Sequence, residues 1–266
     1  MRATGCCSCV CDWLHTTWTL SRRTLLATLR DPGVLLVRTL AAVSIGALTG
    51  VVFYQTTSVD ARVKANLFVM CIFGLFCIPA LSRYIEERVL FLRERAAGFY
   101  GTGAYFLAAT AVELPVLGCV VAAYAPSSYF LIGLRPTAGA FATFTAVLVV
   151  VTLTGFSISQ LVAACSRTVE RAIAVYMLVF VYALLLGGFI IEKDKLPEDA
   201  RWLVYTSFYY WGFGALVMNE FEGQPQVLRS LGFADGPGIW ASVAILGGFF
   251  LALRVLAFVA LWTTRH

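Results

Sequence analysis

Six predominantly apolar runs, each near the roughly 20 residues that an α-helix needs to cross a bilayer, limit what this 266-residue chain can become. They fall at about Val34–Tyr54, Ala65–Leu81, Gly103–Tyr124, Ala138–Cys165, Val169–Ile191 and Gly238–Trp262. The runs are continuous and do not alternate at period two, which selects helices over a barrel. In hydrocarbon a helix satisfies its backbone amides within one segment. Hydrophobic residues make up 60% of the chain and charged residues 13%, where soluble domains average about 45–50% and 25%. The expected fold is an all-α membrane protein with six transmembrane helices. Residues 1–33 form a cytoplasmic amino-terminal segment and 34–266 the membrane domain.

Between the second and third runs lies RYIEERVLFLRERAAGFY, Arg83 to Tyr100, with seven charges in its first thirteen residues. Ile85, Val89, Leu92 and Ala96 recur at steps of four, three and four, which sets one apolar helix face opposite a charged one. Insertion scales assign roughly 2.5 to 3.5 kcal/mol to each Arg, Lys or Asp at a span centre. This helix therefore belongs at the water boundary. Two readings fit it: a solvated helix that anchors its neighbours, and a cytoplasmic coupling element.

With the amino terminus inside, twelve basic residues fall in inner segments and seven in outer ones, so both termini are expected to be cytoplasmic. Arg254 falls inside the sixth run near its inner end, where its stem can snorkel. Before the first run, Leu14, Trp18, Leu25 and Leu29 follow helical spacing beside Arg22, Arg23 and Arg30. This reads as an interfacial elbow helix on the inner leaflet, although an ordinary surface helix has the same pattern. It should stop at Asp31-Pro32-Gly33, because the residue before proline is pushed out of the helical region. The net charge of +5 is spread along span boundaries and forms no clustered patch, which argues against nucleic acid as a partner.

The long outer loop between spans five and six, about residues 192–237, is the only sizeable soluble part. Trp202, Tyr205, Phe208, Tyr209, Tyr210, Trp211 and Phe213 crowd into twelve of its residues. Such density suits the outer interface, where rings bury their bodies and wet their tips. A short helix dipping back into the membrane is allowed if protein covers its ends.

Chemistry-bearing motifs are sparse. A phosphate-cradling loop needs a glycine-rich turn ending in Gly-Lys-Ser/Thr, and lysine occurs only at Lys64, Lys193 and Lys195. ATP must then be handled outside these 266 residues. His15 and His266 are the only histidines, so no histidine pairs with a buried nucleophile and no catalytic residue is assigned. Cys6, Cys7, Cys9 and Cys11 suit palmitoylation on a membrane-apposed helix. A soft metal is the weaker alternative, since no second ligand pair follows at zinc-finger spacing, and no metal site is assigned. Glu113, in AVELP, is the acid lying well inside a span and is a functional candidate on that ground. With Pro115 two residues on, it forms either a hinge with a polar partner or a pair with an arginine of the charged helix.

From Thr17 to Gly223 the chain resembles the membrane domain of ATP-binding cassette exporters of subfamily G, the white and pleiotropic drug resistance group, also called ABC-2 type membrane domains. Four segments carry the likeness in the family's order. They are LRDPGVLLVRT; ERVLFLRERAAGFY followed by YFLAATAVELP; GGFIIEKDKLP; and WLVYTSFYYWGFGALVMNEFEG. The resemblance implies a coupling helix in which Glu86, Glu87, Arg88, Arg93, Glu94 and Arg95 form or flank the contact to a nucleotide-binding domain, with Arg167 and Glu170 on the neighbouring inner loop. It implies a substrate cavity lined by Ile72, Leu75, Phe76 and Leu184, and an outer plug at Phe189 and Ile190. The implied partners are a second half-transporter, membrane lipids and a hydrophobic small molecule. ATP and Mg belong to the nucleotide-binding domain, and no cofactor is expected in this chain. The implied activity is plasma-membrane export of lipids, sterols or xenobiotics by alternating access. A family member normally carries the nucleotide-binding domain ahead of the elbow, so the competing expectation is a transport-inactive scaffold or regulatory partner. The outer loop lacks the glycosylated, disulfide-bearing form seen in some animal members.

Overall fold

The computed structural model describes residues 6–30, 32–190, 197–233 and 236–263, with side chains from residue 13 onward except at 27–29, 32 and 34. Its elements are α1 (Cys6–Arg30), α2 (Pro32–Val52), α3 (Val59–Leu75), α4 (Ile78–Ala96), α5 (Thr102–Ile132), α6 (Ala138–Cys165) and α7 (Val169–Leu185). A 3-10 helix (Glu198–Thr206) follows, then α8 (Phe208–Glu220), α9 (Pro225–Ser230) and α10 (Ile239–Thr263). Among the described residues there is no strand. One residue separates α1 from α2, at the expected proline, whose missing N–H is harmless in the first turn of a helix.

Five rods are long and apolar enough to cross a membrane: 35–52, the α3–α4 pair over 59–96, α5, α6 and α10. The fifth expected span differs. The apolar run reaches Ile191, but α7 ends at Leu185 after 17 residues, at the short end of the roughly 17–25 that suffice to cross. The cause is Gly188, whose φ of +83° sets it against the rings of Tyr210 and Phe233, with the nearest ring atom 3.0 Å from where a Cβ would lie. Only glycine takes that conformation cheaply in that space. Exposed apolar side chains face away from the bundle on α2 (Leu36, Val37, Leu40) and α10 (Leu251, Val255, Trp262), as a hydrocarbon solvent permits.

Helix α2 closes on α5 through Ala42, Gly46 and Gly50, which recur every four residues and let the two backbones approach. A Cβ on Gly46 would overlap Ser127 Oγ and lie 3.1 Å from the Tyr124 carbonyl oxygen. Gly46→Val is therefore expected to destabilise the fold by about 2 kcal/mol or more, the usual cost of overpacking a rigid contact. Gly118→Ala on α5, where a Cβ meets open space, should be neutral or stabilising by up to about 1 kcal/mol through helix propensity. Thermal unfolding of both variants in detergent checks the contrast, and equal effects would count against close α2–α5 packing.

The aromatic crowd expected at the outer interface is mostly core. Twelve of the thirteen residues of α8 are buried, in keeping with a helix that is apolar on all sides, and here the cover comes from α3, α6 and α10. Tyr209 donates its hydroxyl to the Met70 carbonyl at 3.0 Å. Trp202 and Tyr205, in the 3-10 helix, stay exposed. Glu220 ends α8 as a clasp: its carboxylate takes Arg62 Nη1 at 2.6 Å and the backbone N–H of Arg135 at 3.1 Å. Asn219 Nδ2 donates to the Ala140 carbonyl at 2.9 Å. The buried helix is thus pinned to the start of α3 and to the α5–α6 turn.

Candidate functional site

The charged helix is not separated from the second span. Helix α3 passes into α4 at Phe76–Cys77, with Pro79 in the first turn of α4, so one rod leads from the apolar core to the charged end. The buried face of α4 carries Leu81, Tyr84, Ile85, Arg88 and Phe91, whereas Val89 is 50% exposed. The apolar stripe expected on Ile85, Val89, Leu92 and Ala96 is therefore displaced around the helix. The displacement brings Arg88 inward, where Nη1 donates to the carbonyls of Ala163 (2.7 Å) and Ala164 (2.8 Å) and Nη2 to that of Ser166 (2.8 Å). These carbonyls close the C-terminal end of α6 and have no further helical turn to receive them. Arg88 thereby staples the α6–α7 turn, with its exposed Arg167 and Glu170, to the charged helix.

What α4 leaves uncovered is a mixed stripe of Glu86, Val89, Leu90 and Arg93, extended by Phe99 at 74% exposure. Glu87 and Arg95 are half-buried, and Glu87 lies 3.7 Å from Arg83 Nε. Glu94 accepts a fork from Arg23 on α1 at 3.2 and 3.3 Å and the hydroxyl of Tyr100. Burial, and then the Glu94 carboxylate, push the Tyr100 phenol up to about 12, so it keeps the proton it donates. Next to this latch, between α1 and the end of α4, is a cleft of about 410 Å³ that includes His15, Leu20, Arg23, Glu94, Phe99 and Tyr100 in its walls.

Leu20 of α1 packs on Ala104 and Ala108 of α5, while Leu14, Trp18 and Leu25 of the expected elbow stripe remain exposed. The side chains of Leu29, Cys6, Cys7, Cys9 and Cys11 lie outside the described residues.

Glu113 is 3% exposed and holds two arginines, Arg38 on α2 at 3.2 Å and Arg83 on α4. Of the two arrangements open from the sequence, the structure has the pair with an arginine of the charged helix, with a second cation added. Helix α5 runs unbroken through Pro115 and Pro126.

On the opposite side of the bundle, α7 exposes Val175, Leu178, Val181, Tyr182 and Leu185, and α3 exposes Phe68 and Leu75. Of the expected cavity residues, Leu75 lies on this face and Phe76 and Leu184 are half-buried. Ile72 is 8% exposed and belongs to the core of the single chain, because α3 turns that side toward its neighbours. Leu178, at 72% exposure, was missed, although the steps of three and four linking 175, 178, 182 and 185 mark one helix face. Phe189 meets the ring of Phe213 edge-on at 5.9 Å, and Ile190 is 49% exposed beside it.

Arg254 does not snorkel. It is 7% exposed and donates Nη1 to Gln160 Oε1, and its guanidinium lies over the rings of Phe106, Phe156 and Phe250 at 5.3, 5.2 and 5.4 Å. Aromatic faces that attract cations hold it in the bundle instead of at the surface.

A profile of the ABC-2 type transporter family matches residues 15–221. The chain is 29% identical to the Caenorhabditis elegans ABC transporter ATP-binding protein/permease wht-1 over 94% of its own length and 42% of that protein's. It is 27% identical to the Arabidopsis thaliana ABC transporter G family member 8, over 91% of this chain and 45% of the relative. With the Dictyostelium discoideum G family member 24, identity is 30% over 76% of this chain and 18% of the relative. The chain spans less than half the length of these relatives. A bundle of membrane-length helices with a charged, partly uncovered end, matched by that profile over most of its length and similar to G-family relatives, belongs to the ABC-2 type transporter family.

Proposed function

We propose that this chain is the membrane half of an ATP-driven exporter that moves lipids, sterols or other hydrophobic or amphipathic compounds by alternating access. The observation that carries the reading is the uncovered Glu86, Val89, Leu90 and Arg93 stripe on a rod bound rigidly to the rest of the bundle. Arg88 ties that rod to α6, Glu94 ties it to α1 and Glu113 ties it to α5 and α2. A domain that pushes on the stripe therefore moves several spans together, as a switch between two packings requires. Glu86 and Arg93, with Glu87 and Arg95 at the edges, meet the nucleotide-binding domain, while Arg88 and Glu94 act by positioning them. ATP and Mg are held by that domain, in line with the worm relative's name, which joins ATP binding and permeation in one longer protein.

The apolar faces of α3 and α7 (Leu75, Phe76, Leu178, Tyr182 and Leu184), paired with those of a second copy, take an apolar substrate at little desolvation cost. Phe189 and Ile190 close the outer exit. The termini are cytoplasmic and the plasma membrane is the proposed location, supported by the excess of arginine at the charged end.

Transport by the chain joined to its nucleotide-binding domain, measured in proteoliposomes against a lipid panel, tests this reading. Reversing Glu86 and Arg93 together should lower ATP-dependent transport at least about tenfold, equivalent to about 1.4 kcal/mol of coupling, with dimer assembly and thermal stability retained. Unchanged transport in the reversed variant counts against the coupling role. Absence of ATP-dependent transport in the unaltered protein favours a scaffold.

A further inference from the structure

The α3–α4 rod is interrupted beside the apolar face assigned above to the substrate. Pro79 has no N–H to give to the Leu75 carbonyl. The Cys77 N–H donates back three residues, to the Gly74 carbonyl at 3.3 Å, in place of the four-residue step of an α-helix. A carbonyl oxygen has two lone pairs, and that of Gly74 also accepts the Tyr176 hydroxyl of α7 at 2.8 Å. Tyr176 is 2% exposed, and among the described residues no other side chain of α7 hydrogen-bonds α3 or α4. The other buried residues of α7, Ala172 and Ala183, carry no side-chain donor. Helix α6 closes the spot from behind, where a Cβ on Gly155 would lie 3.1 Å from Cys77 Sγ and 3.8 Å from the Tyr176 hydroxyl.

This one bond joins three parts of the proposed exporter. Leu75 and Phe76 follow Gly74 directly, and Leu178 lies two residues beyond Tyr176, so both sides of the apolar face adjoin it. Beyond the break, α4 leads to the exposed Glu86 and Arg93. A helix interrupted at a proline bends there without melting. The spacing between α3 and α7 therefore follows the tilt of α4 only if α7 is tied to the break. We propose that Tyr176 is that tie, a positioning residue whose bond to Gly74 carries displacement of the charged helix into α7 and so sets the width of the substrate face. The inference rests on the exporter reading above, and Tyr176 itself, buried behind the face, touches neither nucleotide nor substrate.

Amide hydrogen exchange in the chain joined to its nucleotide-binding domain, with and without a non-hydrolysable ATP analogue, tests the tie. Tyr176→Phe keeps the ring, and the Gly74 carbonyl retains the Cys77 N–H, so this variant is expected to fold. Without nucleotide, its exchange over 76–81 and 172–178 should rise about fivefold, the size of one neutral hydrogen bond. With the analogue, both segments should change protection together in the unaltered protein, whereas Tyr176→Phe should lose the response of α7 and keep that of 76–81. Transport per ATP hydrolysed should fall by about the same factor, fivefold, with ATP hydrolysis retained. Tyr209→Phe is the control, because it removes a comparably buried hydroxyl bond to the Met70 carbonyl one turn before the break, and it should leave the α7 response and the transport ratio intact. An α7 response kept in Tyr176→Phe, its loss in both variants alike, or unchanged exchange without nucleotide overturns the proposal. If the analogue alters neither segment in the unaltered protein, the exporter reading fails, and exchange in Tyr176→Phe without nucleotide alone decides whether the tie exists.

Discussion

Glu113→Leu is expected to lower stability by about 3 kcal/mol, toward the lower end of the range for breaking a buried ion pair. The lower end applies because Arg38 and Arg83 keep side-chain exposures of 19% and 32% and so retain some contact with water or headgroups. The Glu113 side chain is 5% exposed, so its removal strands both cations between α2, α4 and α5. Glu113→Gln should recover part of the hydrogen bonding but little of the charge compensation. A double-mutant cycle with Arg83→Met separates the pair from its surroundings, since groups in direct contact couple non-additively. Additive losses in that cycle would show that Glu113 acts through something other than the arginines.

Arg88→Ala carries an expected loss of similar size, about 3 kcal/mol, because hydrogen bonds to a charged group contribute about 1.5–3 kcal/mol each and three of them are not independent. Here the loss is local before it is global. Amide hydrogen exchange should accelerate over 163–172, where the end of α6 and the turn bearing Arg167 and Glu170 lose their anchor. Arg88→Lys should restore only a fraction, since a single ammonium cannot match the planar fork that spans three carbonyls. Unchanged exchange across that turn in Arg88→Ala would remove the staple from the account. Because Arg88 is buried, its substitution perturbs structure as well as coupling, and the exposed Glu86 and Arg93 report on coupling more cleanly.

Much of the architecture was legible from period and composition. Membrane-length apolar runs, the proline between α1 and α2, and a charged helix after the second run are all local properties, set by what hydrocarbon tolerates in a backbone and by what proline removes from one. The face that α4 buries was not legible. Its apolar periodicity is satisfied almost equally by the set with Val89 and the set with Tyr84 and Phe91, and the choice was made by the unmet carbonyls of α6, far away in sequence. Likewise Tyr209, Tyr210 and Trp211 fit an interface as well as a core until α8 is seen inserted among α3, α6 and α10. The apolar face of α7 was readable in principle from its spacing, but the early end of that helix depends on Gly188 meeting Tyr210 and Phe233, a contact between segments.

A helical membrane bundle with a charged end follows from the order of residues alone, because the bilayer penalises unpaired amides and charges whatever the tertiary arrangement. Only the tertiary structure decided where the intramembrane charges go. Glu113 gathers Arg38 and Arg83, Arg88 caps α6, and Arg254 turns inward to Gln160 and three rings. The hydrogen bonds of Arg38 to Glu113, Arg88 to Ala163 and Arg254 to Gln160 join residues 75 or more apart in sequence, beyond the reach of any local pattern.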